Sequence, residues 1–245
     1  MGTLVETAAA LGTSVVHVYS ADLDATHADP DVLSEDELDR AARFRFERDR
    51  RRFVAARSAL RRLLARYVDA SPCEISFEYG PYGKPDVPGA PVSFNVSHAG
   101  SYALFAFGPR FELGVDVEVL GNSLVDDLLV AKRFFSPREI EVLRAYVPSA
   151  RPRAFLRCWT RKEAFVKARG DGLSLPLHDF DVSFGMGERP ALMRTAWSDT
   201  EPEAWTLEDV SGLFPRVVSG LFPRAVAALA IRSPDVRVIP VGQVE

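Results

Sequence analysis

Two carboxylates separated by one residue mark the most chemically suggestive segment of this 245-residue sequence. In Gly114-Val-Asp-Val-Glu118, valines alternate with polar residues at the period of a β-strand, so Asp116 and Glu118 share one face. Paired acids suit a hard divalent cation such as Mg²⁺, which prefers oxygen ligands and is often shared with phosphate groups. An amphipathic strand that shows its acidic face to water fits the segment equally well.

A second group of chemically active residues lies on a predicted helix. Trp159, Glu163 and Lys167 recur every four residues and therefore form one stripe along it. Glu163 and Lys167 alone could be an ordinary surface ion pair, worth a few tenths of a kcal/mol. The aromatic residue in the same stripe favours a face that contacts protein instead of bulk water.

Two further segments place polar residues at turns. Phe94-Asn-Val-Ser-His98 ends a predicted strand, and His98 could contact phosphate or bond a backbone carbonyl. Tyr82-Gly-Lys-Pro85 holds Lys84 in a rigid turn. Lysine is rare here, at four of 30 basic residues, so each lysine is a candidate for a position that requires a compact point charge.

The surrounding sequence predicts the elements that position these residues. A capping box at Ser34-x-x-Glu37 starts one helix, and Arg40 to Val68 has helical spacing. Ser136-Pro137 starts another helix, and a long one is predicted over Ala154–Ala168. Strands are predicted over Val15–Tyr19, Ile75–Tyr79, Val92–Ser97, Tyr102–Phe107, Leu113–Leu120, Phe180–Phe184, Trp205–Leu207 and Ala225–Arg232. Each half has a long helix followed by short strands, which predicts an α+β fold of two similar subdomains, residues 1–110 and 111–245.

The bulk composition excludes several classes of function. With a net charge of −4 and 47% hydrophobic residues, the chain has no general attraction to nucleic acid or membrane surfaces. Cys73 and Cys158 do not form a zinc motif. No apolar run reaches membrane-spanning length, and the first residues lack the positive charge of a secretory signal. We therefore expect a cytoplasmic protein that binds neither nucleic acid nor membranes.

Together, these segments resemble the Sfp-type phosphopantetheinyl transferases, in the order that the family has them. The matching motifs are Gly83-Lys84-Pro85, Phe94-Asn95-Val96-Ser97-His98, Gly114-Val115-Asp116-Val117-Glu118, Phe134-Phe135-Ser136 with Glu139, Trp159-x-x-Lys162-Glu163-Ala164-x-x-Lys167 and Gly170-Asp171-Gly172. Arg161 and a tandem VSGLFPR repeat near Val210 depart from the pattern. The resemblance implies a monomeric enzyme with its site between two α+β halves. Such an enzyme transfers the 4′-phosphopantetheine arm of coenzyme A (CoA) to a carrier-protein serine and releases 3′,5′-ADP.

The resemblance also implies roles for individual residues. Asp116, Glu118 and Glu163 match metal-binding acids, for Mg²⁺ or Mn²⁺. Glu163 is the first choice for the general base, with Glu139 and Glu118 as alternatives, and Lys167 would stabilise the leaving phosphate. The expected CoA contacts are Arg52, Arg57, Lys84, Ser97, His98, Lys162 and Lys167. Leu124 and Leu128 are expected to help receive the carrier, which such enzymes often take from polyketide or nonribosomal peptide synthases.

Two other classes of function share part of this pattern. Another magnesium-dependent phosphotransferase or nucleotidyltransferase would also use paired acids, but the sequence has neither a Walker-type GxxxxGK[ST] nor a GxGxxG after a strand. A non-catalytic module that binds CoA or carriers would most simply have lost an acid, whereas Asp116, Glu118 and Glu163 are all present.

Overall fold

A computed structural model of the chain describes residues 14–121, 127–214 and 224–244. The helices are α1 (Glu35–Ala42), α2 (Glu47–Leu64), α3 (Asp127–Phe134), α4 (Pro137–Ala145) and α5 (Arg151–Arg169). The strands are β1 (Val15–Asp22), β2 (Glu78–Tyr79), β3 (Pro85–Asp86), β4 (Ser93–Ala99), β5 (Tyr102–Gly108), β6 (Leu113–Val119), β7 (Phe180–Val182), β8 (Leu192–Thr195), β9 (Thr206–Asp209), β10 (Ala225–Ile231) and β11 (Arg237–Val244). The predicted α+β class is confirmed.

The first sheet has the order β11-β1-β5-β4 and packs against α2. Its neighbours are antiparallel except for the parallel pair of β1 and β11. Leu60, Leu63 and Leu64 lie on one face of α2 and are buried against Phe105 and Phe107 of β5, which is the apolar stripe that a helix of period 3.6 presents to a sheet. This helix and sheet form the core of the first half.

The second sheet has the antiparallel order β6-β10-β9 and packs against α5. Its other face packs against the first sheet, because Val115 and Val117 of β6 share a buried cluster with Val16 and Val18 of β1. The molecule is therefore layered as helix, sheet, sheet and helix. In β6, the residues between the valines, Asp116 among them, point to the α5 side.

The last strand of the chain belongs to the first sheet. Residues 237–244 lie far beyond the predicted boundary at residue 110, and they pair with residues 15–21 of β1. This pairing covers an edge of β1 that would otherwise present unpaired backbone groups. The exposed, mixed pattern of β11 gives no sequence signal of burial, which is why the strand was not predicted.

Helix starts agree with the sequence more closely than strand lengths do. Capping boxes are present at Ser34 and Ser136. The single helical region predicted from Arg40 to Val68 is two helices with a break between α1 and α2. Of the strand predicted over Ile75–Tyr79, only the last two residues form a strand, and they pair with β3 in a short hairpin. Within the described ranges, no helix combines the length and apolar character needed to cross a membrane.

Candidate active site between the two halves

Strand β6 and helix α5 approach each other unusually closely at Gly114. A Cβ atom at this position would lie 2.1 Å from the carbonyl oxygen of Ala164 and 2.3 Å from the backbone nitrogen of Ala168. Only glycine permits this approach, because any side chain would collide with the helix backbone. The contact brings the acidic face of β6 next to the Glu163–Lys167 stripe of α5.

Asp116 is at the centre of the resulting cluster. Its Oδ1 accepts hydrogen bonds from Lys167 Nζ at 2.6 Å and from Ser97 Oγ at 2.9 Å. The residue is 4% exposed, and its Oδ2 is buried without a hydrogen-bond partner. Burial raises the pKa of Asp116, while Lys167 and Ser97 act in the opposite direction. The side chain therefore keeps one buried oxygen whose hydrogen-bonding capacity is unused.

The other two acids of the cluster, Glu118 and Glu163, are half-buried, and the charge of Asp116 raises the pKa of both. Burial and the negative charge of Asp116 raise the pKa of Glu118 to about 7, and Glu163 adds to the effect. The pKa of Glu163 is raised by burial and then by Asp116. Lys167 lowers the pKa of both groups. Three acids therefore share one nearby lysine, which is an arrangement typical of functional sites.

The donor chemistry of this cluster fits a hard divalent cation. All three acids present carboxylate oxygens, and Asp116 Oδ2 has no partner. Among the residues that the structure describes, however, no three His, Cys, Asp or Glu side chains are arranged to hold a metal ion. Lys167 Nζ contacts Asp116 Oδ1 instead. The acids suit Mg²⁺ chemically, but binding it requires their side chains to move.

Strand β4 contributes two side chains that hold β6 in place. β6 is an edge strand, and its backbone N–H groups at Val115 and Val117 donate to Asn95 Oδ1 at 2.9 Å and Ser97 Oγ at 3.4 Å. Ser97 thus bonds the strand backbone, Asp116 and Lys167 at once. The sequence motifs did not identify Asn95 as a site residue. Its place in the Phe94–His98 motif was the available signal.

A cavity of about 280 Å³ opens beside the acids, between the two halves. Its lining residues are Tyr82, Gly83, Lys84, Pro85, Asn95, Val96, Glu163, Val166, Lys167, Gly170 and Gly172. Lys84 crosses from the first half and donates to the carbonyl oxygens of Leu113 and Ala168, at 3.0 and 2.9 Å. Burial lowers the pKa of Lys84 to about 8. Lys84 therefore joins the cavity wall to the end of α5 and the start of β6.

Comparisons with known proteins identify the family. A model described as the 4′-phosphopantetheinyl transferase superfamily matches residues 112–228, and one described as 4′-phosphopantetheinyl transferase, N-terminal, matches residues 24–109. The 4′-phosphopantetheinyl transferase HetI of Nostoc sp. is 40% identical over 68% of this chain and 72% of its own length. The chain belongs to the 4′-phosphopantetheinyl transferase superfamily.

Two other relatives extend the match. The 4′-phosphopantetheinyl transferase Sfp of Bacillus subtilis is 33% identical over 61% of this chain and 66% of its own length. A Synechocystis protein named for the same activity is 40% identical over 58% of this chain and 59% of its own length. The family resemblance of the motifs is thereby confirmed. The chain is a phosphopantetheinyl transferase, an enzyme that transfers phosphopantetheine from CoA to carrier proteins.

His98 lies near the acidic cluster and near an arginine that the sequence motifs did not identify. Although the ring is exposed, the surrounding protein lowers the pKa of His98, and the charges of Lys167 and Arg40 lower it further. Arg40 is in the last turn of α1. Its sequence signal was hidden, because the segment from residue 40 to 66 is dense in arginine.

The two arginines expected to contact CoA are bound to acids in this structure. Arg52 makes a two-pronged pair with Asp24, at 2.7 and 2.6 Å. Arg57 bonds Glu37 Oε1 at 2.6 Å and the Tyr79 hydroxyl at 3.1 Å. Neither residue lines the cavity described above.

Lys162 and Glu139 of the transferase lie in the interior of the second half. Lys162 is 0% exposed, and its Nζ bonds Glu139 Oε2 at 2.8 Å and the carbonyl oxygens of Leu177 and Phe180. Glu139 also accepts bonds from the backbone nitrogens of Ser136 and Val182. The motifs predicted that Lys162 contacts CoA and that Glu139 is an alternative base. In the structure the two residues instead form a buried ion pair that connects α4, α5 and β7. The helix turns Lys162 away from the face of Glu163.

The leucines expected to receive the carrier have different surroundings. Leu124 lies outside the described residues. Leu128, in α3, is partly buried and packs against the core of the second half, whereas the adjacent Leu129 is 61% exposed. Of the two adjacent leucines, Leu129 is the one that presents its side chain to solvent.

Proposed function

We propose that the cleft between the halves is where the transferase binds CoA and where the carrier serine attacks it. The observation that carries the proposal is the cluster of Asp116, Glu118, Glu163 and Lys167 beside the cavity. A phosphorus centre is attacked only when its negative charge is reduced, and a nearby serine hydroxyl must lose its proton. The cluster offers groups suited to both requirements.

Asp116, Glu118 and Glu163 are the proposed ligands of Mg²⁺, with Mn²⁺ as an alternative. The bound ion would neutralise negative charge on the CoA diphosphate. Asp116 is the anchor of this set, because Ser97 holds its Oδ1 and its buried Oδ2 has no hydrogen-bond partner. Glu118 and Glu163, both half-buried, complete the set from the strand and from the helix.

Glu163 is the proposed general base. It lines the cavity, and burial raises its pKa in the metal-free cluster, where it is a better proton acceptor than an ordinary carboxylate. It would take the proton of the carrier serine while the serine oxygen bonds the phosphorus next to pantetheine. The phosphoanhydride bond then breaks, and 3′,5′-ADP leaves. Glu118 remains an alternative base, whereas Glu139 is saturated with bonds in the interior.

Basic residues around the cleft are proposed to hold the phosphates. The ammonium group of Lys167 would stabilise the charge that develops on the leaving phosphate. Lys84 lines the same cavity, and Arg40 adds positive charge near His98. His98, whose pKa is lowered, is proposed to contact CoA as a neutral imidazole. Arg52 and Arg57 stay as proposed CoA contacts and would exchange Asp24 and Glu37 for phosphate oxygens.

The carrier is proposed to be an apo acyl or peptidyl carrier protein of a polyketide or nonribosomal peptide synthase. This part of the proposal rests on the family resemblance of the motifs. We also propose a monomer, because both halves of the cleft come from one chain and no second copy is needed to build it. A cytoplasmic location is proposed as well and rests on the sequence alone.

Intact-mass spectrometry tests the proposal directly. The enzyme, CoA and Mg²⁺ are mixed with several unrelated apo carrier proteins, and a gain equal to one phosphopantetheinyl group is expected on at least one of them. A carrier whose acceptor serine is replaced by alanine, and a reaction with EDTA, are the controls and should show no gain. CoA binding without transfer to any carrier would contradict the proposal and favour a binding module.

A further inference from the structure

Lys167 is bound to the very carboxylate that the proposed function assigns to a metal ion. Its Nζ lies 2.6 Å from Asp116 Oδ1 and 3.0 Å from Ser97 Oγ. The side chain of Asp116 is 6% exposed, whereas that of Lys167 is 30% exposed. Asp116 is therefore held in place by its surroundings, and Lys167 reaches it from the open side of the cleft.

The charges around this contact do not balance. Asp116, Glu118 and Glu163 repel one another, and Lys167 is the cation that lowers the pKa of each. A single lysine cannot neutralise three acids, so the cluster retains an affinity for further positive charge. A divalent cation that approached Asp116 would meet the ammonium group already bonded to Oδ1, and the two like charges would repel at this distance.

We propose that Lys167 is an exchangeable counterion, which neutralises Asp116 in the empty enzyme and leaves Asp116 Oδ1 when the metal and CoA bind. This inference rests on the proposed function of the cleft. It adds that the side chain of Lys167 has two positions, one in the empty enzyme and one in the enzyme with metal and CoA bound. The released ammonium group then has the CoA phosphates as its new partner. Lysine suits this exchange, because its charge is carried on a long and flexible stem.

The exchange predicts opposite effects of Lys167 on two binding reactions. Removing the ammonium group should strengthen the binding of metal alone, since its competitor for Asp116 is gone. The same change should weaken CoA binding, because CoA loses a contact to one of its phosphates. CoA should also raise the metal affinity of the wild-type enzyme more than that of the variant, because in the wild type it draws Lys167 away from Asp116.

Mn²⁺ binding followed by electron paramagnetic resonance measures these effects without a catalytic readout. Without CoA, Lys167→Met should bind Mn²⁺ roughly tenfold more tightly than wild type, as expected when a competing charge is removed. Lys167→Arg keeps the charge and should stay near wild type. Lys132→Met, which changes an exposed lysine of α3, is the matched control for losing one positive charge. Lys167→Gln serves if the methionine variant does not fold.

The outcomes separate this inference from the proposed function. Tighter Mn²⁺ binding by Lys167→Met or Lys167→Gln, with Lys132→Met unchanged, supports the exchange. Equal or weaker binding by the neutral variants, while wild type binds Mn²⁺ in the presence of CoA, overturns the exchange and leaves the metal site standing. A wild-type enzyme that binds no Mn²⁺ even with CoA overturns both.

Discussion

Glu118 is the residue whose ionisation should be visible in the stability of the empty enzyme. Its pKa, raised from 4.5 to about 7, means that the folded state disfavours the charged form. The protonated group therefore contributes stability that is fully present below about pH 4.5 and is lost as the pH rises through about 7. An uncharged residue at this position would not incur that loss.

The first prediction is that Glu118→Gln stabilises the metal-free enzyme at high pH only. In EDTA at pH 8 its melting temperature should exceed that of wild type by about 2–4 °C, and the difference should shrink towards pH 5. Thermal melts followed by circular dichroism measure this. Glu78→Gln, on the exposed strand β2, is the control and should behave like wild type at both pH values. Equal melting of Glu118→Gln and wild type at pH 8 would disprove the assignment.

Residue spacing predicted which side chains share a face within one element but not which elements meet. The alternation in β6 and the stripe on α5 each describe a single element, and only the family resemblance of the motifs brings Asp116 and Glu163 together. The same motif also contains Lys162, which the helix turns into the core. A sequence motif contains both residues that do chemistry and residues that stabilise the fold, and only the packing of the structure distinguishes the two groups.

At the scale of single elements, the buried pair of Lys162 and Glu139 should be a stability determinant. Lys162→Met would leave Glu139 buried without its cation, which costs about 3–5 kcal/mol of unfolding free energy. The double variant Lys162→Met/Glu139→Gln removes the uncompensated charge and should recover much of that loss. Urea unfolding of wild type, both single variants and the double variant measures the coupling. If the loss of unfolding free energy in the double variant equalled the sum of the losses in the two single variants, Lys162 and Glu139 would not be energetically coupled.

The contact between β6 and α5 should depend on Gly114. Gly114→Ala places a Cβ against the helix backbone, so the strand and helix must separate, and we expect a loss of about 3 kcal/mol of stability. Transfer activity should fall as well, because the acids of β6 move relative to Glu163. Gly212→Ala, where a Cβ would meet open space, is the matched control for the same substitution. Comparable unfolding curves for the two variants would show that the close approach is not required.

Elements were more predictable than their arrangement. Capping residues specify helix starts locally, so the beginnings of α1 and α4 could be predicted from Ser34 and Ser136. Pairing between β1 and β11 joins residues more than 200 positions apart, and no local pattern encodes it. The same reason explains why the sequence did not predict that β11 joins the first sheet.

At the scale of the whole molecule, the proposed function requires the carrier to reach a cleft formed by both halves. In α3, the exposed Leu129 is better placed than the partly buried Leu128 to contact a partner. Leu129→Glu should raise the KM for the carrier severalfold and leave CoA binding and melting temperature unchanged. Leu128→Glu should lower the melting temperature instead, because it puts a charge against the core. If Leu128→Glu raised the KM for the carrier and Leu129→Glu lowered the melting temperature, Leu128 would be the carrier contact instead.

The central claim is that Asp116 and Glu163, brought together from a strand and a distant helix, perform transfer. Intact-mass spectrometry of an apo carrier incubated with CoA and Mg²⁺ tests it most directly when wild type is compared with Asp116→Asn and Glu163→Gln. Each variant should keep its circular dichroism spectrum yet transfer phosphopantetheine at least ~1,000-fold more slowly. Transfer at the wild-type rate by either folded variant would contradict the account.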